Sequence, residues 1–113
     1  MKLPNGHRAI VDITKLRDYC LNTNHEEGKH KARVFASALC VRAADAEWLR
    51  EQLLKAAARE DASPTSRTRF GALYVLDFEL KTEAGTAMIR SGWIIRQNED
   101  FPRLTTCYVK QKQ

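Results

Sequence analysis

The sequence predicts an α+β fold, with two or three N-terminal helices packed on one face of a small antiparallel sheet of three to four strands. Apolar residues follow helical spacing up to about residue 60, and alternating apolar and polar residues replace that spacing after residue 66. Short turn sequences separate the strand segments, which favours antiparallel neighbours. A chain of 113 residues forms one core, so residues 1–113 are treated as a single domain.

The first two helices are predicted from their caps and their apolar spacing. Asp12 is of a residue type that caps helix N-termini, and Asn22-Thr23-Asn24 should end the first helix. Gly28 precedes a second short helix. The apolar stripes that identify the buried sides are Ile13, Leu16, Tyr19 and Cys20 in the first helix, and Ala32, Phe35, Ala36 and Leu39 in the second.

The third helix, about residues 43–60, shows the clearest amphipathic pattern and is expected to be a supporting element. The segment 62–66 is interpreted as a connection to the sheet. Three strands follow, at about residues 73–80, 86–97 and 103–109, with turns at 81–85 and 98–102. In the last strand, alternation predicts Leu104, Thr106 and Tyr108 on one face and Thr105, Cys107 and Val109 on the other.

Composition limits the class of protein. Charged residues make up 29% of the chain and hydrophobic residues 43%, as in ordinary folded domains. No apolar run approaches the length of a membrane span, and the N-terminus lacks the apolar stretch of a signal peptide. We therefore expect a cytoplasmic protein with no membrane partner. Cys20, Cys40 and Cys107 fit neither a disulfide framework nor a zinc pattern and are predicted to be buried thiols.

The net charge of +5 is unevenly distributed. Residues 1–42 carry eight Lys or Arg against four Asp or Glu, and residues 62–113 carry eight against five, whereas residues 43–61 are acidic. A basic field of this kind favours a polyanion such as nucleic acid, because cationic side chains neutralise phosphates and release counterions. The alternative is a basic surface that only maintains solubility.

The segment 25–33 concentrates chemistry-bearing side chains, with His25, His30, Lys29, Lys31 and Arg33 in nine residues. Lysine and arginine are almost never fully buried without partners, so this cluster should face water or an anion. Histidine is suited to proton transfer near neutral pH. The start of the second helix adds backbone N–H groups, which makes this corner a candidate anion site.

Five segments distributed over nearly the whole chain are characteristic of one family. They are Leu3-Pro4-Asn5, Lys15-Leu16-Arg17-Asp18-Tyr19, residues 25–35, Ser91-Gly92-Trp93-Ile94-Ile95-Arg96 and Phe101-Pro102-Arg103-Leu104-Thr105-Thr106. They resemble a bacterial family of unknown function, found as short free-standing proteins and as C-terminal domains of polymorphic secreted toxins. More remotely, the element order is similar to that of colicin- and barnase-like ribonuclease toxins.

That resemblance implies a metal-independent ribonuclease without a cofactor, acting on cytoplasmic RNA and neutralised by a cognate immunity or antitoxin protein. Cleavage through the 2′-hydroxyl needs a base, an acid and cations around the phosphate. The candidate catalytic residues are His25, His30, Lys31 and Arg103. The candidates for binding phosphate or RNA are Lys29, Arg33, Arg90, Ser91, Trp93, Thr106 and Tyr108.

Each of these assignments has an alternative in which the residue has only a structural role. In these alternatives the histidines are only surface residues, Trp93 and Tyr108 belong to the core, and Arg90 protects a strand edge. Two other roles therefore remain open: a non-catalytic nucleic-acid-binding module, and a protein-interaction domain such as an antitoxin or scaffold. A glycine-rich phosphate loop, a clustered metal site and a serine triad all lack support in the sequence. The ribonuclease prediction requires the loop near residue 28 to converge with the sheet.

Overall fold

The computed structural model describes residues 1–110 and has the predicted α+β fold. Helix α1 (Ile13–Lys15) continues as a π-helical turn (Leu16–Cys20), and is followed by α2 (Lys29–Leu39) and α3 (Ala46–Arg59). Short 3₁₀ turns lie at Gly6–Arg8 and Ala43–Asp45. The strands are β1 (Ser63–Thr68), β2 (Gly71–Thr82), β3 (Gly85–Arg96) and β4 (Arg103–Val109). They form one antiparallel sheet in the order β1-β2-β3-β4.

The helix boundaries follow from local chemistry. The Asp12 carboxylate accepts a hydrogen bond from the Thr14 backbone N–H at 2.9 Å, which confirms the predicted N-cap of α1. The π turn is closed by the Leu21 N–H, which donates to the Leu16 carbonyl at 2.8 Å. Helix α2 ends at Cys40, whose φ of 57° lies in the left-handed region. No helix within residues 1–110 is long and apolar enough to cross a membrane.

The core lies between the helices and one face of the sheet. Trp93, on β3, is 0% exposed. Its Nε1–H donates to the Ser91 hydroxyl at 2.9 Å, and that hydroxyl donates to the Leu76 carbonyl at 2.7 Å. Both buried polar groups are thus satisfied, so Ser91 and Trp93 form part of the core. The other large residues with almost no exposed surface are Phe35, Leu16, Leu39, Leu49, Leu53, Leu76 and Ile89.

For β4, the predicted split of Thr106 and Tyr108 from Cys107 and Val109 is correct, but the placement of Leu104 on the face of Thr106 and Tyr108 is wrong. The register changes between Gly92 and Trp93, which pair with Thr106 and Leu104, so Thr105 is an extra residue in a β-bulge. As a result, Leu104, Cys107 and Val109 are all buried. Thr106 and Tyr108, both half-buried, lie on the opposite face of the sheet.

Strand β1 was not predicted, because its residues give no alternating signal. All six of its residues, Ser63 to Thr68, are exposed and none is a large apolar residue. Pro64 and a register shift before Ser66 mark it as an edge strand. Backbone pairing with β2 therefore defines this strand, and side-chain burial contributes almost nothing to it.

The prediction of three buried thiols is correct for two of them. Cys20 and Cys107 are buried, whereas Cys40 is exposed at the left-handed C-terminus of α2. The hydrogen bond with the Cys20 thiol, followed by burial, raises the pKa of Cys107, since both favour its protonated form. The position of Cys40 outside the core follows from the helix end, which turns the chain away at this residue.

Candidate functional site

The N-terminal part of α2 meets the sheet at β4, the edge strand nearest to it. The Lys31 ammonium lies over the Tyr108 ring, with Nζ 4.8 Å from the ring centroid. This distance is within the range of a cation–π contact. The contact joins the basic segment that follows residue 28 to the open face of the sheet, as the ribonuclease hypothesis requires for this pair of residues.

Tyr108 continues the site onto β3. It pairs in register with Arg90 on the neighbouring strand. Arg90 in turn holds Asp77 on β2 through two parallel hydrogen bonds of 2.9 Å, Nε to Oδ1 and Nη2 to Oδ2. The Lys110 Nζ reaches the same carboxylate at 3.1 Å. We refer to Lys31, Asp77, Arg90, Tyr108 and Lys110 as the Lys31 site.

The charges of the Lys31 site favour an anionic ligand. It contains three cationic side chains and one carboxylate, and Glu79 lies one position further along the same face. Hydrogen bonds from Arg90, and less strongly from Lys110, hold the pKa of Asp77 below its ordinary value. The same ion pair raises the pKa of Arg90. Asp77 therefore remains ionised and is a weak base, while the surplus positive charge is available to a phosphate.

The Asp77–Arg90 pair also gives a prediction about stability. At neutral pH, Asp77→Asn should lower the free energy of unfolding by about 1–2 kcal/mol, because charge-assisted hydrogen bonds are lost at a half-buried position. The pKa of Asp77 is lower in the folded chain than its ordinary value of 3.8. The stabilisation is therefore present above that value and disappears as the pH falls through the lowered folded pKa.

Urea unfolding of wild type and Asp77→Asn across the acidic range measures this difference. Asp18→Asn is a suitable comparison, since its partner Arg17 is a sequence neighbour and both side chains are more than half exposed. A difference between wild type and Asp77→Asn that persists unchanged in strong acid would contradict the proposed linkage.

Two threonines of the β4 bulge lie next to the Lys31 site. Gly92 pairs with Thr106, and the position of a side chain added at Gly92 would be 2.8 Å from Thr105 Oγ1. The absence of a side chain at Gly92 thus leaves room for the Thr105 hydroxyl. Thr106 Oγ1 is buried and has no hydrogen-bond partner within residues 1–110, so in this structure it is closed to a ligand.

His25 has a structural role in its loop. Its Nδ1 accepts hydrogen bonds from the Glu27 and Gly28 backbone N–H groups, at 3.1 and 3.0 Å. The imidazole packs edge-to-face on Tyr19 with ring centroids 4.7 Å apart. A side chain added at Gly28 would lie 2.5 Å from the Tyr19 carbonyl oxygen, so this close approach requires glycine. Together these contacts fix the entry to α2, and hence the position of Lys31.

The loop contacts of His25 give a second prediction. His25→Ala should destabilise the chain by about 1–2 kcal/mol, because two backbone donors lose their acceptor. The sequence alone suggested an exposed histidine whose removal would leave stability unchanged. His25→Asn should recover part of the loss through its amide oxygen, while His30→Ala at an exposed position should change stability by less than about 0.5 kcal/mol. Thermal unfolding of the three variants measures this order, and equal midpoints for the two alanine variants would contradict it.

The structure separates the other predicted site residues. Arg103 makes two hydrogen bonds to Glu99, at 2.8 and 2.9 Å, and stacks on Phe101. It begins β4, five residues before Tyr108, which corresponds to roughly 15 Å along a strand. The expected convergence of Lys31 with Arg103 is therefore absent from the structure. Ser91 and Trp93 are 0% exposed and cannot contact RNA there.

The remaining residues of the basic segment lie on the surface of α2. His30 and Arg33 are exposed and Lys29 is half-buried, and none of them forms an ion pair within the described part of the chain. The same residues, 1–110, contain no group of three or more His, Cys, Asp or Glu side chains that could hold a metal ion.

Sequence reasoning missed Asp77 and Lys110. A signal for Asp77 was present, because Asp77 interrupts an apolar strand and lies at the same distance from the β2–β3 turn as Arg90. Opposite charges at matching positions of a hairpin form cross-strand pairs. Lys110 gave no such signal, since it follows the last strand in a polar tail.

Comparisons with known proteins are consistent with this fold. A family model described as "Domain of unknown function (DUF6883)" matches residues 2–111. A chain of the solved structure "Contact-dependent growth inhibition toxin - immunity protein complex from Klebsiella pneumoniae 342" superposes with a TM-score of 0.69 at 13% identity. The match covers 89% of this chain and 99% of that chain, and at this identity it concerns the fold alone. No curated protein matches the chain.

Proposed function

Because the chain belongs to the DUF6883 family, whose description assigns no activity, we propose a function from the Lys31 site: a toxin-type ribonuclease that cleaves RNA by general acid–base chemistry. The observation that carries the proposal is the Lys31 ammonium over the Tyr108 ring, next to Arg90. A helix-borne amine, a phenol and a guanidinium are thereby held on one open surface. The likeness in fold to one chain of a growth-inhibition toxin–immunity complex supports a role as a protein of such a system, either toxin or immunity protein.

In the proposed reaction, the 2′-oxygen of a ribose attacks the adjacent phosphorus and the bond from phosphorus to the 5′-oxygen breaks. The products are a 2′,3′-cyclic phosphate and a free 5′-hydroxyl, whose oxygen takes its proton from a solvent water as it leaves. Lys31 and Arg90 stabilise the charge that develops on the phosphoryl oxygens, since such preorganised cations act most strongly in the transition state. Tyr108 donates its phenolic hydrogen bond to the same group.

The proton of the 2′-hydroxyl needs an acceptor. We assign this role to His30, which is exposed and immediately precedes Lys31 in the first turn of α2. His25 is less suited to it, because its Nδ1 is already engaged by two backbone N–H groups. Arg103 has no part in this version of the site, since it is bound to Glu99.

The purified full chain, incubated with single-stranded RNA, tests the proposal. Cleavage should yield 2′,3′-cyclic phosphate ends, should persist in EDTA, and should stop at any position where the ribose is replaced by 2′-deoxyribose. Expression of the chain in bacteria should arrest growth. Intact RNA at stoichiometric amounts of folded protein, or equal cleavage of deoxy-substituted substrate, would falsify the ribonuclease assignment.

A protein-interaction domain is the second candidate, and one feature favours it. A cleft of about 600 Å³ lies between the end of α2, the start of α3 and the β2–β3 turn, and its lining includes Leu39, Val41 and the partly exposed Trp48. If the chain is an antitoxin or scaffold, such a cleft suits an apolar side chain of its partner protein. If this were the whole function, expression would leave growth unaffected and the chain would not bind RNA even at low salt.

A further inference from the structure

The turn between β1 and β2 exposes an aromatic side chain that the fold does not need. Phe70 is 63% exposed, more than any other large hydrophobic residue in the described part of the chain. It lies two residues after the end of β1 and directly before Gly71, whose φ of 148° only glycine adopts readily. The backbone of the turn is therefore specified by Gly71, and the packing of the core does not require a phenylalanine beside it.

Three arginines surround this aromatic residue. The Arg69 guanidinium lies 4.8 Å from the centroid of the Phe70 ring. Arg67 lies on β1 opposite Ala72, and Arg96 lies on β3 opposite Gly71. Because successive residues of a strand point to opposite faces, Arg67 and Arg96 project on opposite sides of the sheet. Positive charge thus flanks Phe70 from both faces.

No carboxylate in the described part of the chain is bound to these arginines, although Arg96 lies close enough to Glu99 to contribute, after Arg103, to lowering the pKa of that carboxyl. None of Arg67, Arg69 and Arg96 forms an ion pair within residues 1–110. The carboxylates at this end of the sheet have other partners: Glu99 is bound to Arg103, and Asp100 to Arg8. The three guanidiniums are therefore available to an external anion.

We propose that Arg67, Arg69, Phe70 and Arg96, the Phe70 tip, form a second contact site for single-stranded RNA. A base stacks on the Phe70 ring and the arginines bind the flanking phosphates, as in other single-strand-binding proteins. The choice of RNA as ligand rests on the proposed function. Arg96 is six residues from Arg90 on β3, or roughly 20 Å, so an extended strand could contact the tip and the Lys31 site together.

The composition of the tip favours a nucleic acid over other partners. One aromatic ring among three cations lacks the contiguous apolar area of a protein hot spot. It also lacks the apolar helix face by which peripheral proteins enter a bilayer. A stacked base with its phosphates, by contrast, needs one ring and a few cations.

Binding of a fluorescein-labelled, single-stranded 2′-O-methyl RNA, which this chemistry cannot cleave, tests the proposal by anisotropy. Phe70→Ala should weaken binding by about 5- to 150-fold, the range expected for losing one base–aromatic stack. Phe70→Trp should retain the wild-type affinity, whereas Phe70→Leu should not, because leucine is apolar but does not stack.

The double variant Arg67→Ala with Arg69→Ala should reduce the slope of log K against log salt by about 1.4.

Two exposed residues elsewhere serve as controls. Met88→Ala removes an exposed apolar side chain from another part of the sheet, and Lys55→Ala removes a charge from α3. Thermal midpoints should be unchanged in the Phe70 variants, since the ring is exposed. Equal affinity of wild type and Phe70→Ala, or of Phe70→Leu and Phe70→Trp, overturns the proposal, as does Phe70-dependent binding to anionic vesicles without RNA binding.

The outcome of this binding experiment is independent of the outcome of the cleavage experiment that tests the ribonuclease assignment. The oligonucleotide has no 2′-hydroxyl, so its binding is independent of cleavage. Phe70-dependent binding by a chain that never cleaves RNA would overturn the catalytic proposal and leave the Phe70 tip in place. Cleavage of RNA together with binding that does not depend on Phe70 would overturn the proposal of the Phe70 tip and leave the catalytic proposal in place.

Discussion

Lys31→Ala is expected to reduce RNA cleavage by at least about 100-fold, the usual effect of removing a group that stabilises transition-state charge. Lys31 is the residue through which α2 reaches Tyr108, and no other amine of the basic segment is seen at that ring in residues 1–110. The loss should appear in kcat more than in KM, because the ammonium acts mainly on the charge of the transition state. Initial rates on a short RNA with a single cleavage site measure both constants.

Companion variants separate charge from geometry. Lys31→Arg retains a cation, and Tyr108→Phe retains the ring under Lys31 while removing the hydroxyl. We expect intermediate rates for both, and a rate as low as that of Lys31→Ala for Tyr108→Ala. Lys55→Ala on the exposed side of α3 is the charge-matched control. If Lys31→Ala cleaves RNA at the wild-type rate, the Lys31 site is not the catalytic centre.

Trp93→Ala is expected to cause the largest loss of stability, about 3–5 kcal/mol, since it empties the space of a fully buried indole. It also deprives the Ser91 hydroxyl of the donor that it faces in the core. Much of a small domain's stability would be removed, because single domains are stable by only about 5–15 kcal/mol. Chemical denaturation at neutral pH measures the change, provided that the variant still folds.

Trp93→Phe provides a milder test. It retains a ring in the core and loses the Nε1–H, so we expect a cost of about 1–3 kcal/mol from the smaller volume and the lost hydrogen bond. Trp48 is the second tryptophan of the chain and is 37% exposed, so Trp48→Ala is the matched control with a much smaller effect. A similar loss of stability for Trp48→Ala and Trp93→Ala would contradict the assignment of Trp93 to the core.

The helices could be predicted because their signals are local. Asp12 caps α1 as expected, and the apolar stripe of α3 packs on the core through Leu49, Leu53 and Ala57. The β2–β3 hairpin was also predicted closely, since both strands alternate and a glycine follows the turn. Strand β1 could not be predicted, because an exposed edge strand is held by backbone hydrogen bonds that leave no pattern in its side chains.

The candidate site was predicted only in part. Lys31, Arg90, Thr106 and Tyr108 do lie near one another, although the role of these residues remains a prediction. Arg103 belongs to a different end of β4, where Glu99 is four residues away and forms an ion pair with it. The spacing of four residues between Glu99 and Arg103 was visible in the sequence and would have predicted this ion pair. Ser91 and Trp93 were assigned to RNA binding although their strand alternation placed them with the buried residue Ile89.

The sequence by itself determined the fold class, the helices and three of the four strands, because hydrophobic periodicity acts over neighbouring residues. Only the tertiary structure decided which side chains meet. The extra residue at Thr105 placed Tyr108 on the face opposite to Leu104, and the packing of α2 against this strand placed Lys31 over the Tyr108 ring. The face on which Tyr108 lies and the position of Lys31 both depend on contacts between residues far apart in the chain, which no local pattern of amino acids encodes.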